Sequence, residues 1–224
     1  MSAPDFTPRP QLAEDVARLV RRRIFNGTYA AGKYIRLDQL AAELGISVTP
    51  IREALFELKA EGLLAQRPHR GFVVSPVTHR DITDVSNVQA HIGGLLAARA
   101  AANISDEQLR ELHRIQSELE AAYASDDDDL AVRLNHEFHR AINVAADSPK
   151  LAQLMSQITR YAPESVFPTI AGWPRKSIKH HRTLLAALQR RDEELARTAM
   201  SEHLAAGAAP LIDHLTRRGV VTQP

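Results

Sequence analysis

The segment between residues 37 and 75 constrains the fold of this chain more than any other. Residues 37–44 read as a short helix closed by Gly45, and 47–61 as a second helix ended by Gly62. Residues 63–67 and 72–75 then read as two short strands joined by a turn at Pro68-His69-Arg70-Gly71. Two helices hinged at a glycine and followed by a hairpin have the order of a winged helix-turn-helix. Gly45 permits the tight turn. Ala41 and Ala42 are small where two helices must approach, and Ile51, Ala54, Leu55 and Leu58 form the buried stripe of the second helix. Ser47 or Thr49 can cap that helix, and Pro50 is tolerated in its first turn.

The flanks differ from this segment. Residues 11–26 carry Leu12, Val16, Leu19, Val20 and Ile24 at helical spacing, with Arg18, Arg21, Arg22 and Arg23 on and beside the opposite face. From Asp81 on, strand signals largely disappear, and helices are expected at about 81–103, 105–124, 127–146, 149–162, 174–191 and 192–217. Pro163, Pro168, Gly172 and Pro174 mark an irregular connection, and the run Asp126–Asp129 reads as a solvated helix start whose carboxylates complement the dipole. The expected fold class is therefore mainly α: an N-terminal winged helix-turn-helix followed by an all-α helical bundle. Residues 1–9 are expected as a disordered tail, 10–77 as the winged domain and 78–220 as the helical one.

Composition narrows the chemistry. With no cysteine in 224 residues, disulfides, thiolate metal sites and a cysteine nucleophile are excluded, so any transition-metal site must use His, Asp, Glu or Asn. No apolar run approaches a membrane span and residues 1–10 lack a signal-peptide core, which makes the cytoplasm the expected location. The formal net charge of +1 conceals an asymmetry: residues 1–78 hold 11 Lys and Arg against 8 Asp and Glu, whereas the remainder holds 17 against 19. A small basic domain joined to a mildly acidic one suits a reader of phosphates attached to something else.

A recognition helix reads base edges from its N-terminal residues, which here are Ser47, Val48, Thr49 and Arg52. An Arg in that position can contact guanine bidentately, or it can simply pair with Glu53 or Glu57 on a solvated surface. The segments Arg36-Leu37-Asp38-Gln39-Leu40-Ala41, Gly45-Ile46-Ser47-Val48-Thr49-Pro50-Ile51-Arg52-Glu53-Ala54-Leu55, Glu61-Gly62-Leu63-Leu64 and Arg70-Gly71 resemble the GntR family of bacterial regulators. The resemblance implies double-stranded operator DNA as partner, contacts from Arg36, Thr49 and Arg52, and a wing tip, His69-Arg70-Gly71, in the minor groove. Val48 departs from the family, which often has Arg there, so the operator is expected to differ from the common one. The likeness also implies a homodimer held by the C-terminal domain, and the small residues of Gly93-Gly94-Leu95-Leu96-Ala97-Ala98 would allow close helix packing.

Nine of the ten histidines follow residue 78. His139 lies four residues after Asn135 on one helix face, while His181 and His203 fall on two later helices. Spacing alone leaves two readings, hydrogen-bonded core histidines or ligands of one divalent cation. The pattern Asn135-x-x-Phe138-His139, then His181, then His203, resembles the FCD effector-binding domain of the FadR subfamily, which implies a metal held by Asn135, His139, His181 and His203. Zn²⁺ is the expected ion, with Ni²⁺ or Mn²⁺ as alternatives, and a small-molecule effector, a carboxylate among the candidates, is the expected ligand. His136 and His180 are read as non-ligands pointing elsewhere, and His91, His113 and His214 carry no motif. Gln89 and Gly93 stand where many such domains have Arg and Glu, so the usual clamp for an organic acid is absent and the glycines are expected to leave room for a bulkier ligand. Two other functions compete: a helical domain that only dimerises, and a metal-dependent enzyme. The enzyme is disfavoured because His136-Glu137-Phe138-His139 spaces its histidines three apart, not four, and no nucleophile elbow, phosphate loop or dinucleotide fingerprint is present.

Overall fold

The computed structural model describes residues 10–68, 70–161 and 164–222, which divide into two compact units. The expected tail, residues 1–9, and the wing residue His69 lie outside the described residues.

The first unit is built on α1 (Pro10–Phe25), β1 (Tyr34–Ile35), α2 (Leu37–Leu44), α3 (Val48–Ala60), β2 (Leu64–Arg67) and β3 (Gly71–Val74). Val16, Ala17, Val20 and Ile24 of α1 pack on Ile51, Ala54, Leu55 and Leu58 of α3, all essentially buried. Gly45 ends α2 in the left-handed conformation, at φ 66°, and turns the chain into α3. Ala41 is buried as expected, whereas Ala42 is exposed. The sheet is antiparallel in the order β1-β3-β2, with Tyr34 opposite Val73 and Leu64 opposite Val74. Its third strand, β1, is two residues long, too short to carry a period-2 signal. Gly71 stands where the hairpin meets β1: its φ is +87°, and a Cβ there would lie 2.8 Å from the Ile35 carbonyl oxygen.

The second unit runs from His79 to His214. It comprises α4 (His79–Asn103), α5 (Asp106–Ala124), α6 (Asp128–Ala145), α7 (Pro149–Thr159), a 3₁₀ turn (Glu164–Thr169), α8 (Trp173–Gln189), α9 (Glu193–Ala205) and the start of α10 (Ala208–Arg217). The starts of the helices follow local chemistry: Ser105 and Gln108 form a capping box on α5, while the Asp127 and Asp192 carboxylates accept the Leu130 and Leu195 amides at the starts of α6 and α9. The helix expected at 192–217 is two helices, interrupted at Ala206–Gly207. A Cβ at Gly207 would sit 3.2 Å from the Phe167 ring, so the glycine gives that ring its space.

The core is formed by the apolar stripes of α4, α5, α6, α8 and α9, with Leu96, Leu119, Phe138, Ile142, Leu184 and Leu188 fully buried. The small residues of α4 serve this internal packing. A Cβ on Gly93 would fall 2.3 Å from Leu204 Cδ1, and one on Gly94 would fall 2.3 Å from Ser201 Oγ and 3.1 Å from the Arg197 carbonyl, all on α9. Expectations of a packing stripe for a second subunit, and of room for a bulkier ligand at Gly93-Gly94, are corrected by this contact: α9 already fills the space.

The chain then returns to the first unit. Residues from Leu215 on group with it, although 78–220 was expected to belong to the helical domain. Two-residue β5 (Val221–Thr222) pairs in parallel with β4 (Val77–Thr78), and Val220 and Val221 are buried. The left-handed turn at Gly27 accommodates this return, since a Cβ there would lie 3.3 Å from the Arg218 carbonyl oxygen.

Candidate functional site

In the first unit the decisive contrast is between arginines already engaged and arginines left available. Arg21 forks onto Glu61 at 2.7 and 2.9 Å, tying α1 to the end of α3. Arg23 bonds Glu43 at 2.5 Å and the Tyr29 hydroxyl at 2.6 Å, and the Glu43 hydrogen bond raises its pKa further. These two are structural cations. Arg36, Arg52 and Arg70 are exposed and carry no side-chain hydrogen bond or ion pair among the described residues; the alternative in which Arg52 pairs with Glu53 or Glu57 does not occur. Arg52 lies in the second turn of α3, Arg36 immediately before α2, and Arg70 in the turn between β2 and β3, next to Gly71. Ser47 holds the cap position of α3 by its backbone, at φ −70° and ψ 158°, but its side chain makes no capping bond and remains exposed, as does Thr49. Val48 is half-buried. Arg67 on β2 is a further exposed cation beside the hairpin turn, unpaired among the described residues; nothing in its sequence setting separates it from an ordinary strand arginine.

In the second unit three histidines from three helices meet. His139 of α6, His181 of α8 and His203 of α9 have ligand nitrogens all within 4.8 Å of one another. His203 Nε2 is 3.3 Å from His139 Nε2. Bonds of about 2.0–2.1 Å in a tetrahedral arrangement put ligand atoms about 3.3–3.4 Å apart, so this pair already has the spacing of two ligands to one ion. The third ring is held from the side: Phe138, next to His139 in sequence, stacks on His181 with centroids 4.2 Å apart and planes 9° from parallel. Asn135 is half-buried one helical turn before His139 on the same face of α6.

Burial keeps two of these rings neutral. His181 is fully buried and His203 nearly so, and burial pushes both well below the ordinary imidazole range, with each charged neighbour lowering them further. Neutral imidazole is the form that binds a metal. Two of their buried ring nitrogens, His181 Nε2 and His203 Nδ1, have no hydrogen-bond partner among the described residues. Orphaned buried nitrogens are costly in an all-protein interior, and a cation at His181 Nε2 would satisfy one of them. On that test the three residues fit a divalent ion with nitrogen preference.

The remaining histidines separate as expected with one refinement. His136 is exposed while Phe138 between it and His139 is buried, so the His136–His139 pair does not form a zinc-protease face. His180 sits closer to the centre than its position suggested: its ring is 5.7 Å from that of His203, and burial lowers its pKa. Gln89, standing where many such domains have Arg, is buried and donates to the Ile158 carbonyl at 3.2 Å, which ties α4 to α7. A polar partner of the site escaped notice altogether. Gln116 Oε1 lies 2.8 Å from His181 Nδ1. Its signal was present: it interrupts the otherwise apolar stripe Leu112, Ile115, Leu119 of α5, where a buried amide requires a partner.

The FCD domain family matches residues 84–206, and the family of bacterial regulatory proteins termed gntR matches residues 12–74. The chain is 26% identical over 205 residues to the HTH-type transcriptional regulator McbR of Escherichia coli, covering 88% of this chain and 91% of McbR. It is 29% identical over 205 residues to the HTH-type transcriptional repressor GlaR of the same species, covering 85% of this chain and 91% of GlaR. It is 28% identical over 199 residues to a probable D-xylose utilization operon repressor of Paenarthrobacter nicotinovorans, covering 88% of each. Among solved structures, E. coli McbR/YncC superposes with a TM-score of 0.73 at 26% identity, over 91% of this chain and 98% of that one.

Proposed function

Since this chain belongs to the GntR family of bacterial regulators, with an FCD domain behind its winged helix-turn-helix, we propose that a divalent ion at His139, His181 and His203 is the platform on which a small-molecule effector controls its binding to operator DNA. The chain is a DNA-binding transcriptional regulator and not an enzyme. Specificity resides in α3: Ser47, Val48, Thr49 and Arg52 present side chains to base edges, with Arg52 the candidate for a bidentate guanine contact. Arg36 and Arg70, with Arg67 beside them, position the unit on phosphates or the minor groove, together with His69 and Gly71. A single recognition helix covers few base pairs, so a homodimer reading two half-sites is part of the proposal. Such a protein works where the DNA is, in the cytoplasm. Among the described residues no helix is long and apolar enough to cross a membrane.

The observation that carries the metal reading is the convergence of three imidazoles, two of them kept neutral by burial and one of these with an Nε2 unpartnered among the described residues, in a helical core. Imidazole donors suit Zn²⁺ and Ni²⁺ better than Mn²⁺, the tetrahedral spacing of the His139–His203 pair favours Zn²⁺, and Asn135 is the candidate for a fourth ligand. None of these ligands is an anion, so the bound ion keeps nearly its full charge and favours an anionic partner, such as the carboxylate of an effector. Metal analysis of protein purified without chelators or nickel resin tests this. About one Zn²⁺ per chain is expected; protein that neither carries nor takes up Zn²⁺, Ni²⁺ or Mn²⁺ leaves the helical domain with dimerisation alone. Thermal-shift screening of carboxylates against the metal-loaded protein then addresses the effector class.

A further inference from the structure

A chain of hydrogen bonds runs from the surface of α8 to the unpartnered nitrogen of His181. Arg182 binds both oxygens of the Glu120 carboxylate, through Nε at 3.0 Å and Nη2 at 2.5 Å. Glu120 Oε1 accepts from the Gln116 amide Nε2 at 2.9 Å, and Gln116 Oε1 lies 2.8 Å from His181 Nδ1. The direction of every bond in this chain is set at its outer end. A carboxylate held by a guanidinium is an acceptor only. It must therefore face the NH₂ of Gln116, which leaves the amide oxygen facing the imidazole. An amide oxygen cannot donate, so His181 Nδ1 must carry the proton. In a neutral ring the proton can be on one nitrogen only, and the lone pair is then on Nε2, the atom that has no partner among the described residues.

We propose that Glu120 and Gln116 are positioning residues of the metal centre, which lock His181 as its Nδ1–H tautomer and thereby present the Nε2 lone pair to the ion. This rests on the metal-platform reading for its consequence, but the tautomer itself is a property of the metal-free protein. Two constraints act together on one ring. Stacking on Phe138 sets its plane, and the amide bond sets its rotation within that plane. Partners of this kind tune metal sites because they decide which nitrogen is available before the ion arrives. The arrangement also places the control outside the core: Glu120 and Arg182 are partly exposed, with side-chain accessibilities of 27% and 66%, while Gln116 is 3% exposed. A surface substitution can thus reach a buried ligand without altering the packing around it.

The test uses the full-length chain. In the metal-free wild type, long-range ¹H–¹⁵N correlation of the imidazoles should show His181 as the Nδ1–H form alone. Glu120→Gln keeps shape and packing but supplies a group that can either donate or accept, so the amide of Gln116 is free to turn. The variant should show mixed tautomers and a Zn²⁺ affinity lower by about 10- to 100-fold in competition titration, with an unchanged circular dichroism spectrum. The double variant Gln116→Glu with Glu120→Gln restores one direction: Glu at 116 accepts from His181, the new amide at 120 donates to it, and Arg182 donates to that amide's oxygen. It should return the single tautomer and recover Zn²⁺ affinity. An Nε2–H tautomer in the wild type, or an unchanged tautomer in Glu120→Gln, overturns the proposal whether or not metal binds. A normal tautomer shift in a protein that takes up no Zn²⁺ supports the relay and overturns the metal platform instead.

Discussion

The two units place their polar chemistry in opposite places. All six buried polar residues among those described, Ser86, Gln89, Gln116, Ser177, His181 and His203, belong to the helical unit. The winged unit buries apolar side chains, with Tyr29 the one that carries a hydroxyl among the described residues, and holds its candidate contacts, Arg36, Arg52 and Arg70, on the surface without side-chain partners among the described residues. The difference follows from the ligands. DNA is larger than the domain that reads it and must be met from outside, by side chains that are hydrated until it arrives. On the proposed function a small effector is enclosed, so its site would be built from groups already withdrawn from water, which need partners of their own. Function and stability should therefore separate cleanly in the first unit and be entangled in the second.

The sharpest way to break that contrast is to remove two ligands together. His181→Ala with His203→Ala should abolish stoichiometric metal in elemental analysis and with it any effector response, while DNA affinity of the metal-free protein changes much less. A double variant that still responded normally to effector would remove the metal from the mechanism. Next in size is Phe138→Ala. Loss of a fully buried ring is expected to cost about 3–5 kcal/mol in denaturant unfolding, and because the ring stacks on His181 it should weaken metal binding as well.

Arg52→Ala tests the other side of the comparison. Operator affinity should fall by about 1–3 kcal/mol in a gel-shift titration, with no change in the melting temperature, since the side chain is exposed and unpaired. Arg36→Ala and Arg70→Ala should weaken binding similarly across sequences and reduce the salt slope by about 1 each if they contact phosphates. Unchanged affinity and preference in Arg52→Ala would exclude it from base reading.

The smallest expected effect is on pH dependence. His181 and His203 are neutral when folded because burial lowers their pKa values, whereas in the unfolded chain they titrate near 6.5. The unfolded state then binds more protons as pH falls, so the stabilisation is complete above about pH 6.5 and declines below it, by up to about 1.4 kcal/mol per pH unit for each ring. Unfolding of the metal-free protein from pH 7.5 to 5.5 should show this slope, and the double alanine variant should show a shallower one. Equal slopes would mean that these rings are not protected from protonation.

Much of this was legible in the chain itself. The glycine-hinged helices at 37–61 and the hairpin after them depend on local rules of turn and periodicity, whereas spacing left the histidines at 139, 181 and 203 open between core residues and ligands, and the resemblance to the FCD domain joined them. Other features were not legible for definite reasons. β1 and β5 are two residues each, below the length at which alternation can appear. Gly93 and Gly94 indicated that something approaches α4 closely, but a stripe of small residues looks the same whether it meets a second subunit, a ligand or α9. Gln116 indicated a buried partner without naming it.

The amino-acid order by itself determined what each segment could be: which stretches are helical, where they are capped, which face is apolar and which residue types are available for a metal or for DNA. Those are properties of neighbours within a few positions, where spacing translates directly into geometry. Only the tertiary structure decided which arginines are already paired and which are available, that three imidazoles separated by up to 64 residues meet at one point, and that a surface arginine 66 residues from Gln116 governs the direction of its amide. Those outcomes depend on hydrogen-bond direction and on atomic distances across the core, and sequence separation carries no information about either.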